Sequence, residues 1–242
     1  MSILKYMTIA DFITAINALI GFLAIMYVID KLFINALILI LFAVILDGLD
    51  GLLARITGSK HTFGTFLDAI ADTVSFCFAP AVLLYGLFYD PAKTSFNSWL
   101  NLLTVLTTFF VAGLGILRLA RFITQKKDLE HFNGLPTPAM AMFIVLLLIP
   151  ILKLNSHPEF ILPVVTLTSI LMVSDVKYPT FRGKSAMAVG LLVALVILSL
   201  FITFTFFEFV QLAALAMVVS YVFFVPFFIN QNSNKNYHLI EN

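Results

Sequence analysis

Four aspartates stand inside otherwise apolar stretches of the chain, Asp47 and Asp50 in one and Asp68 and Asp72 in the next. The first pair is spaced i, i+3 and the second i, i+4, so on helices each pair shares one face. A single Asp at the centre of a membrane helix costs about 2.5 to 3.5 kcal/mol on insertion scales, and clustered like charges add repulsion. Something must compensate. Carboxylate oxygens are hard donors, and several aimed at one point suit Mg²⁺, Mn²⁺ or Ca²⁺, whose charge relieves that repulsion. One such Asp alone is as readily explained by a hydrogen bond to a neighbouring helix. Four of them, flanked by the small residues Gly51, Ala54 and Gly64 and by Arg55, point to a shared cation site.

The segments carrying these acids belong to a membrane protein. Of 242 residues, 61% are hydrophobic and 11% charged, with a mean hydropathy of +1.05; a soluble domain carries about 25% charged residues. Soluble globular and disordered chains are both excluded. A net charge of +1 argues against a nucleic-acid partner. The single cysteine, Cys77, forms no internal disulfide and reads as a packing residue. Uncharged or nearly uncharged runs of crossing length predict eight spans, at 12–29, 32–56, 64–89, 94–117, 135–152, 160–176, 185–207 and 209–234. They show no period-2 alternation, so helices are expected rather than a barrel. The predicted fold is an all-α polytopic membrane helix bundle, a single transmembrane domain over 1–230 followed by a polar cytoplasmic tail at 231–242.

With the amino terminus in the cytoplasm, all but Lys31, Lys93 and Lys153 of the 14 Lys and Arg residues fall on the inner side, which predicts that both termini are cytoplasmic. The first span lacks the basic leader and small-residue cleavage site of a signal peptide and is expected to be retained. A rise of about 1.5 Å per residue from Leu32 puts Asp47 roughly 8 Å below the inner surface. A cytoplasmic turn around 58–63 would fold the second and third spans antiparallel and bring both acidic pairs together. His61 in that turn, and the segment 126–131, read as solvated loop. In the first span Asp11, Thr14 and Asn17, with Gly21 one turn on, form a polar stripe. Helix packing is one use for it.

The run Asp47-x-x-Asp50-Gly51-x-x-Ala54-Arg55, eight residues, then Gly64-x-x-x-Asp68-x-x-x-Asp72 resembles the signature of the CDP-alcohol phosphotransferase family, with no position missing. The resemblance implies a six-helix core, here about 9–176, with extra helices at about 185–230. It implies that Asp47, Asp50 and Asp68 hold two divalent cations, Mg²⁺ or Mn²⁺ with Ca²⁺ also able to enter, and that Asp72 helps hold one and serves as general base. Two cations can clamp pyrophosphate oxygens and stabilise charge on a departing CMP, while a carboxylate takes the proton of the attacking alcohol. A CDP-lipid would place its pyrophosphate at the depth of these acids. Arg55 and Lys60 could neutralise its phosphate oxygens, and Gly51 and Gly64 would let cytidine approach the backbone. Asp11, Thr14 and Asn17 resemble the family's nucleotide-contacting segment, where an asparagine often replaces Asp11.

The segments 72–80, 132–139 and 172–179 resemble the phosphatidylserine synthase branch of that family, including archaeal members. That likeness implies CDP-diacylglycerol or CDP-archaeol as donor, L-serine as acceptor, phospholipid biosynthesis as the setting, and a homodimer among membrane lipids. The active site would face the cytoplasmic leaflet of the cell membrane. Serine brings a carboxylate that needs a cation, and Arg118 and Arg121, at i, i+3 near the inner end of the fourth span, offer one. Snorkelling to headgroups is their alternative use. Ser75, Asn133 and Lys177 are further candidates for that pocket. A phosphorylated acceptor, glycerol phosphate or inositol phosphate, is the alternative within the family. From another class, acids inside helices also mark divalent-cation transporters, but those would carry polar residues through the full membrane depth or in two related halves.

Overall fold

A computed structural model describes residues 7–58, 61–92, 99–124, 131–154, 158–179 and 205–223. The span expected at 185–207 falls almost wholly outside these residues, as do Lys60, positions 126–130 and the polar tail 231–242. The described helices are α1 (Ile9–Ile29), α2 (Phe33–Ile56), α3 (Thr62–Asp72), α4 (Ala79–Phe88), α5 (Trp99–Thr124), α6 (Thr137–Leu154), α7 (Pro158–Ile170) and α8 (Thr205–Phe223). Four helical stretches are long and apolar enough to cross a membrane: α1, α2, the continuous Thr62–Phe88 stretch that joins α3 to α4, and α5. The protein is a multi-pass membrane helix bundle.

Local causes set several of these boundaries. α1 opens on a capping box, in which Thr8 accepts from the Asp11 amide and Asp11 accepts from the Thr8 amide. Lys31, at φ 61°, turns the chain from α1 into α2, and the two run side by side. His61 caps α3, its Nδ1 accepting from the Gly64 N–H at 2.8 Å. Between α3 and α4 the helix widens into a π-helical turn, Thr73–Phe78. The core that α2, α4 and α6 bury together includes Leu37, Ile40, Leu41, Leu83, Leu84, Phe143 and Leu148. Much of the remaining apolar surface, such as Leu19, Phe109 and Phe160, is exposed in the way a lipid-facing shell requires.

Several boundaries differ from those expected. α5 runs past the expected 117 to Thr124, so both arginines are helical, with Arg121 in the last turn and Arg118 one turn before it; Arg is a good helix former and its charge does not stop the spiral. α7 covers only 13 residues and breaks into turns after Ile170. At about 1.5 Å per residue it is shorter than the hydrocarbon core. α8 runs through position 208, where a break was expected.

The all-α expectation also needs one correction. A short antiparallel ribbon pairs β1 (His131–Asn133) with β2 (Lys177–Pro179), with His131 opposite Pro179, Phe132 opposite Tyr178 and Asn133 opposite Lys177. Gly134, at φ 81°, turns β1 toward α6. Its N–H donates to the Val176 carbonyl at 2.8 Å, and the Leu135 N–H donates to the Leu171 carbonyl at 3.0 Å.

α1 meets the π-helical turn across Gly21. A Cβ there would stand 2.6 Å from the Ser75 Cα, and the Ser75 hydroxyl donates to the Asn17 carbonyl at 2.9 Å. Because the obstacle is backbone, Gly21→Val is expected to destabilise the protein by about 1–3 kcal/mol or more. A clearly lower unfolding temperature in detergent checks this, and an unchanged one would contradict the contact.

Candidate active site

α2 and α3 bring their acidic faces together. Carboxylate oxygens of Asp47, Asp50 and Asp68 all lie within 4.8 Å of one another. Asp50 is buried, and Asp47 and Asp68 are partly so. This is the set of hard, closely spaced oxygens that a divalent cation takes, and it fits such an ion by donor type and separation. Asp72 follows one turn beyond Asp68 on α3 and is 6% exposed. It stands outside the three-carboxylate cluster, close enough to Asp47 for the two carboxyl groups to interact. Its Oδ2 accepts a 3.3 Å hydrogen bond from Thr137, while Oδ1 is buried without a hydrogen-bond partner among the described residues. A buried carboxylate oxygen left open beside the cation site is placed to receive a ligand or a proton.

The polar stripe of α1 closes one side. Thr14, whose hydroxyl lies 2.6 Å from Asp50 Oδ2 and 3.0 Å from the Ala10 carbonyl, joins α1 to the cluster. Asp11 is engaged by the α1 cap and by His61, whose Nε2 lies 3.0 Å from Asp11 Oδ2. His61 is therefore not the solvated loop residue expected. It holds the start of α3 against the start of α1 through both ring nitrogens. A helix start at Thr62 rather than at Gly64 is the signal that would have revealed the cap. Asn17 is 1% exposed, and neither Nδ2 nor Oδ1 has a hydrogen-bond partner among the described residues. A buried amide left open is costly, by about 1–3 kcal/mol per group in mutational data, and here it lies one turn beyond Thr14.

At the rim, exposed Arg55 folds back so that its Nε donates to the Gly51 carbonyl at 2.8 Å. Ala54 is partly buried on the same helix. Gly64 packs closely here: a Cβ there would meet Asp11 Oδ1 at 2.7 Å and His61 Cε1 at 3.0 Å.

On the other side of Asp72, α5 contributes the two arginines, and the structure separates them. Arg118 is 6% exposed and donates to the Thr137 hydroxyl at 3.1 Å, the same hydroxyl that reaches Asp72. Its guanidinium also lies over the Phe122 ring, 5.4 Å from the centroid. Arg121 instead turns to the segment after α7. It donates to the carbonyls of Val173 and Ser174 at 3.1 and 3.3 Å and pairs with the exposed Asp175. Neither arginine is simply extended toward headgroups. Asn133 and Lys177, far apart in sequence, are exposed partners across the β1–β2 ribbon. Ser75 is fully buried, and its hydroxyl donates to the Asn17 carbonyl of α1. Cys77 packs in the core beside Gly115, as expected of it. Thr137 was missed from sequence, because nothing in its position marks a bridge between Arg118 and Asp72.

Comparison with known proteins follows the same lines. Residues 7–174 match the sequence model of the family described as CDP-alcohol phosphatidyltransferase. The chain is 38% identical over 185 residues to the CDP-diacylglycerol–serine O-phosphatidyltransferase of Methanocaldococcus jannaschii, spanning 76% of this chain and 79% of that protein. It is 33% identical over 186 residues to the archaetidylserine synthase of Methanothermobacter thermautotrophicus, spanning 76% and 75%. With the CDP-diacylglycerol–serine O-phosphatidyltransferase of Bacillus subtilis it shares 30% identity over 174 residues, 72% of this chain and 91% of the relative. The aspartates that α2 and α3 gather at one point lie inside the matched segment, and the chain belongs to the CDP-alcohol phosphatidyltransferase family.

Proposed function

We propose that this protein transfers a phosphatidyl or archaetidyl group from a CDP-lipid to the hydroxyl of L-serine, releasing CMP, as a step of phospholipid biosynthesis. The observation that carries the reading is the convergence of Asp47, Asp50 and Asp68 within 4.8 Å, with Asp72 beside them, in a chain whose relatives bear serine phosphatidyltransferase names.

Asp47, Asp50 and Asp68 would hold two divalent cations, Mg²⁺ or Mn²⁺, with Asp72 as a further ligand and Ca²⁺ able to occupy the same oxygens. Such cations supply positive charge for the pyrophosphate oxygens and for the charge that develops on the leaving phosphate. Asp72 accepts the proton of the serine hydroxyl as its oxygen bonds to the lipid phosphorus and the bond from phosphorus to the CMP oxygen breaks. Thr137, donating to Asp72 Oδ2, leaves Oδ1 for that proton. Arg118 receives the acceptor carboxylate, with Asn133 and Lys177 at the mouth of the pocket and Arg121 holding the loop beside it. Asp11, Thr14, Asn17, Gly51, Ala54 and Gly64 line the nucleotide side, and Arg55 and Lys60 meet its phosphates.

The protein acts in the cell membrane with this site at the cytoplasmic leaflet. The shorter apolar helices and the apolar run at 185–207 complete eight crossings with both termini inside, and two copies pair as a homodimer. The exposed Arg55, on the same helix as Asp47 and Asp50, supports that orientation.

The test is to incubate the reconstituted protein with CDP-diacylglycerol or CDP-archaeol, Mg²⁺ or Mn²⁺, and each alcohol separately, and to detect CMP. Release with L-serine is expected. Release only with glycerol phosphate or inositol phosphate would replace serine as the acceptor. Metal uptake into sealed vesicles with no CMP formed would indicate a transporter instead.

A further inference from the structure

One hydroxyl stands between two charged groups on the deep side of the site. Thr137 is fully buried, and its Oγ1 donates to Asp72 Oδ2 at 3.3 Å while accepting from Arg118 Nη1 at 3.1 Å. A hydroxyl has a single proton, and a guanidinium donates but cannot accept. The Arg118 N–H therefore occupies a lone pair of Thr137 and leaves its proton to the carboxylate. The direction of the hydroxyl is set from the α5 side.

Position in its helix makes that hydroxyl available. Threonines inside α5 turn theirs back to the carbonyl four residues earlier, Thr104 to Leu100, Thr107 to Leu103 and Thr108 to Thr104, each at 2.8 Å. Thr137 is the first residue of α6, and the residue four before it, Asn133, belongs to the β1–β2 ribbon. Its hydroxyl can reach across to another element. The ribbon also aims it. The N–H groups of Gly134 and Leu135, just ahead of α6, donate to the carbonyls of Val176 and Leu171, and Arg121 of α5 grips the same segment at Val173 and Ser174.

A carboxyl group that turns over exchanges its two oxygens. Held at Oδ2, Asp72 keeps Oδ1 in one place, buried and without a hydrogen-bond partner among the described residues. The 3.3 Å bond is long for an O–H donor, and catalytic hydrogen bonds commonly tighten when substrate is in place. We propose that Thr137 is a positioning residue for the general base: with its hydroxyl directed by Arg118, it fixes which oxygen of Asp72 faces the attacking alcohol. This rests on the reading of Asp72 as the base and holds for whichever alcohol attacks.

The test uses the full chain in lipid vesicles with CDP-diacylglycerol or CDP-archaeol, Mn²⁺ and L-serine, and reads CMP release. Thr137→Val keeps the shape of the side chain and removes the hydroxyl. It is expected to lower kcat about 10- to 100-fold, what a hydrogen bond to a charged group supplies, with the KM for CDP-lipid and the Mn²⁺-dependent rise in unfolding temperature nearly unchanged. Thr137→Ser, which keeps the hydroxyl, should restore most of kcat. In an Asp72→Asn background Thr137→Val should cause no further loss, because groups that act as a unit do not add; a merely structural role would reduce turnover again. Should Thr137→Val fail to fold, Thr137→Ala makes the same comparison. Wild-type turnover without the hydroxyl, a Thr137→Ser as impaired as Thr137→Val, or a loss that adds in full to that of Asp72→Asn would overturn the proposal while the base reading stands. Near-normal turnover in Asp72→Asn alone would remove the base reading and this inference together.

Discussion

Asp72→Asn is expected to lower CMP release by about 10²- to 10⁴-fold, the usual contribution of a positioned general base, while a divalent cation still binds. The substitution keeps the size of the side chain and the acceptor for Thr137, and it leaves Asp47, Asp50 and Asp68 untouched. What disappears is the carboxylate oxygen that stands open and buried at the deep end of the cluster. Turnover in reconstituted membranes and Mn²⁺-dependent thermal stabilisation should be measured on the same preparation. Loss of turnover with the stabilisation retained fits the base assignment. Near-normal turnover would end it.

Asp68→Ala separates the other role. Asp68 is one of the three carboxylates whose oxygens converge within 4.8 Å, so removing it should weaken cation binding and turnover together. Cation stabilisation of developing charge is worth several kcal/mol, and the expected fall in turnover is on the order of 10³-fold or more. The Mn²⁺-dependent rise in unfolding temperature should shrink or vanish. The apo variant, relieved of one like charge beside Asp47 and Asp50, should be no less stable than the apo wild type. An Asp68→Ala protein with the wild-type metal response would mean that the cluster is not the cation site.

Much of this centre was legible in the order of residues, because helical spacing is rigid: once 47 and 50, and 68 and 72, lie on helices, their faces follow. The division of labour among the acids was only partly legible. Whether Asp72 joins the other three or stands apart depends on how α3 rotates against α2, and no spacing encodes that. The two arginines make the same point. Arg118 and Arg121 are equivalent by sequence, yet the loop after α7 takes one and Thr137 the other. The β1–β2 ribbon was invisible for a different reason. Three-residue strands in segments 43 residues apart carry too little alternation to announce themselves, and they pair because Gly134 and the Leu171 and Val176 carbonyls set the register. For Ser75, a hydroxyl between two apolar neighbours is compatible with a pocket or with a helix seam, and no spacing announces that it packs against Gly21 of α1.

The widened turn at Thr73–Phe78 comes directly after Asp72. A π turn inserts one residue into the spiral, which offsets everything beyond it by about 100° relative to an unbroken helix of 3.6 residues per turn. The half of this membrane crossing that carries Asp68 and Asp72 and the half that meets the greasy interior of the bundle are thereby set to different angles. Evolution can tune the lower half against a substrate and the upper half against its neighbours without either adjustment twisting the other out of place.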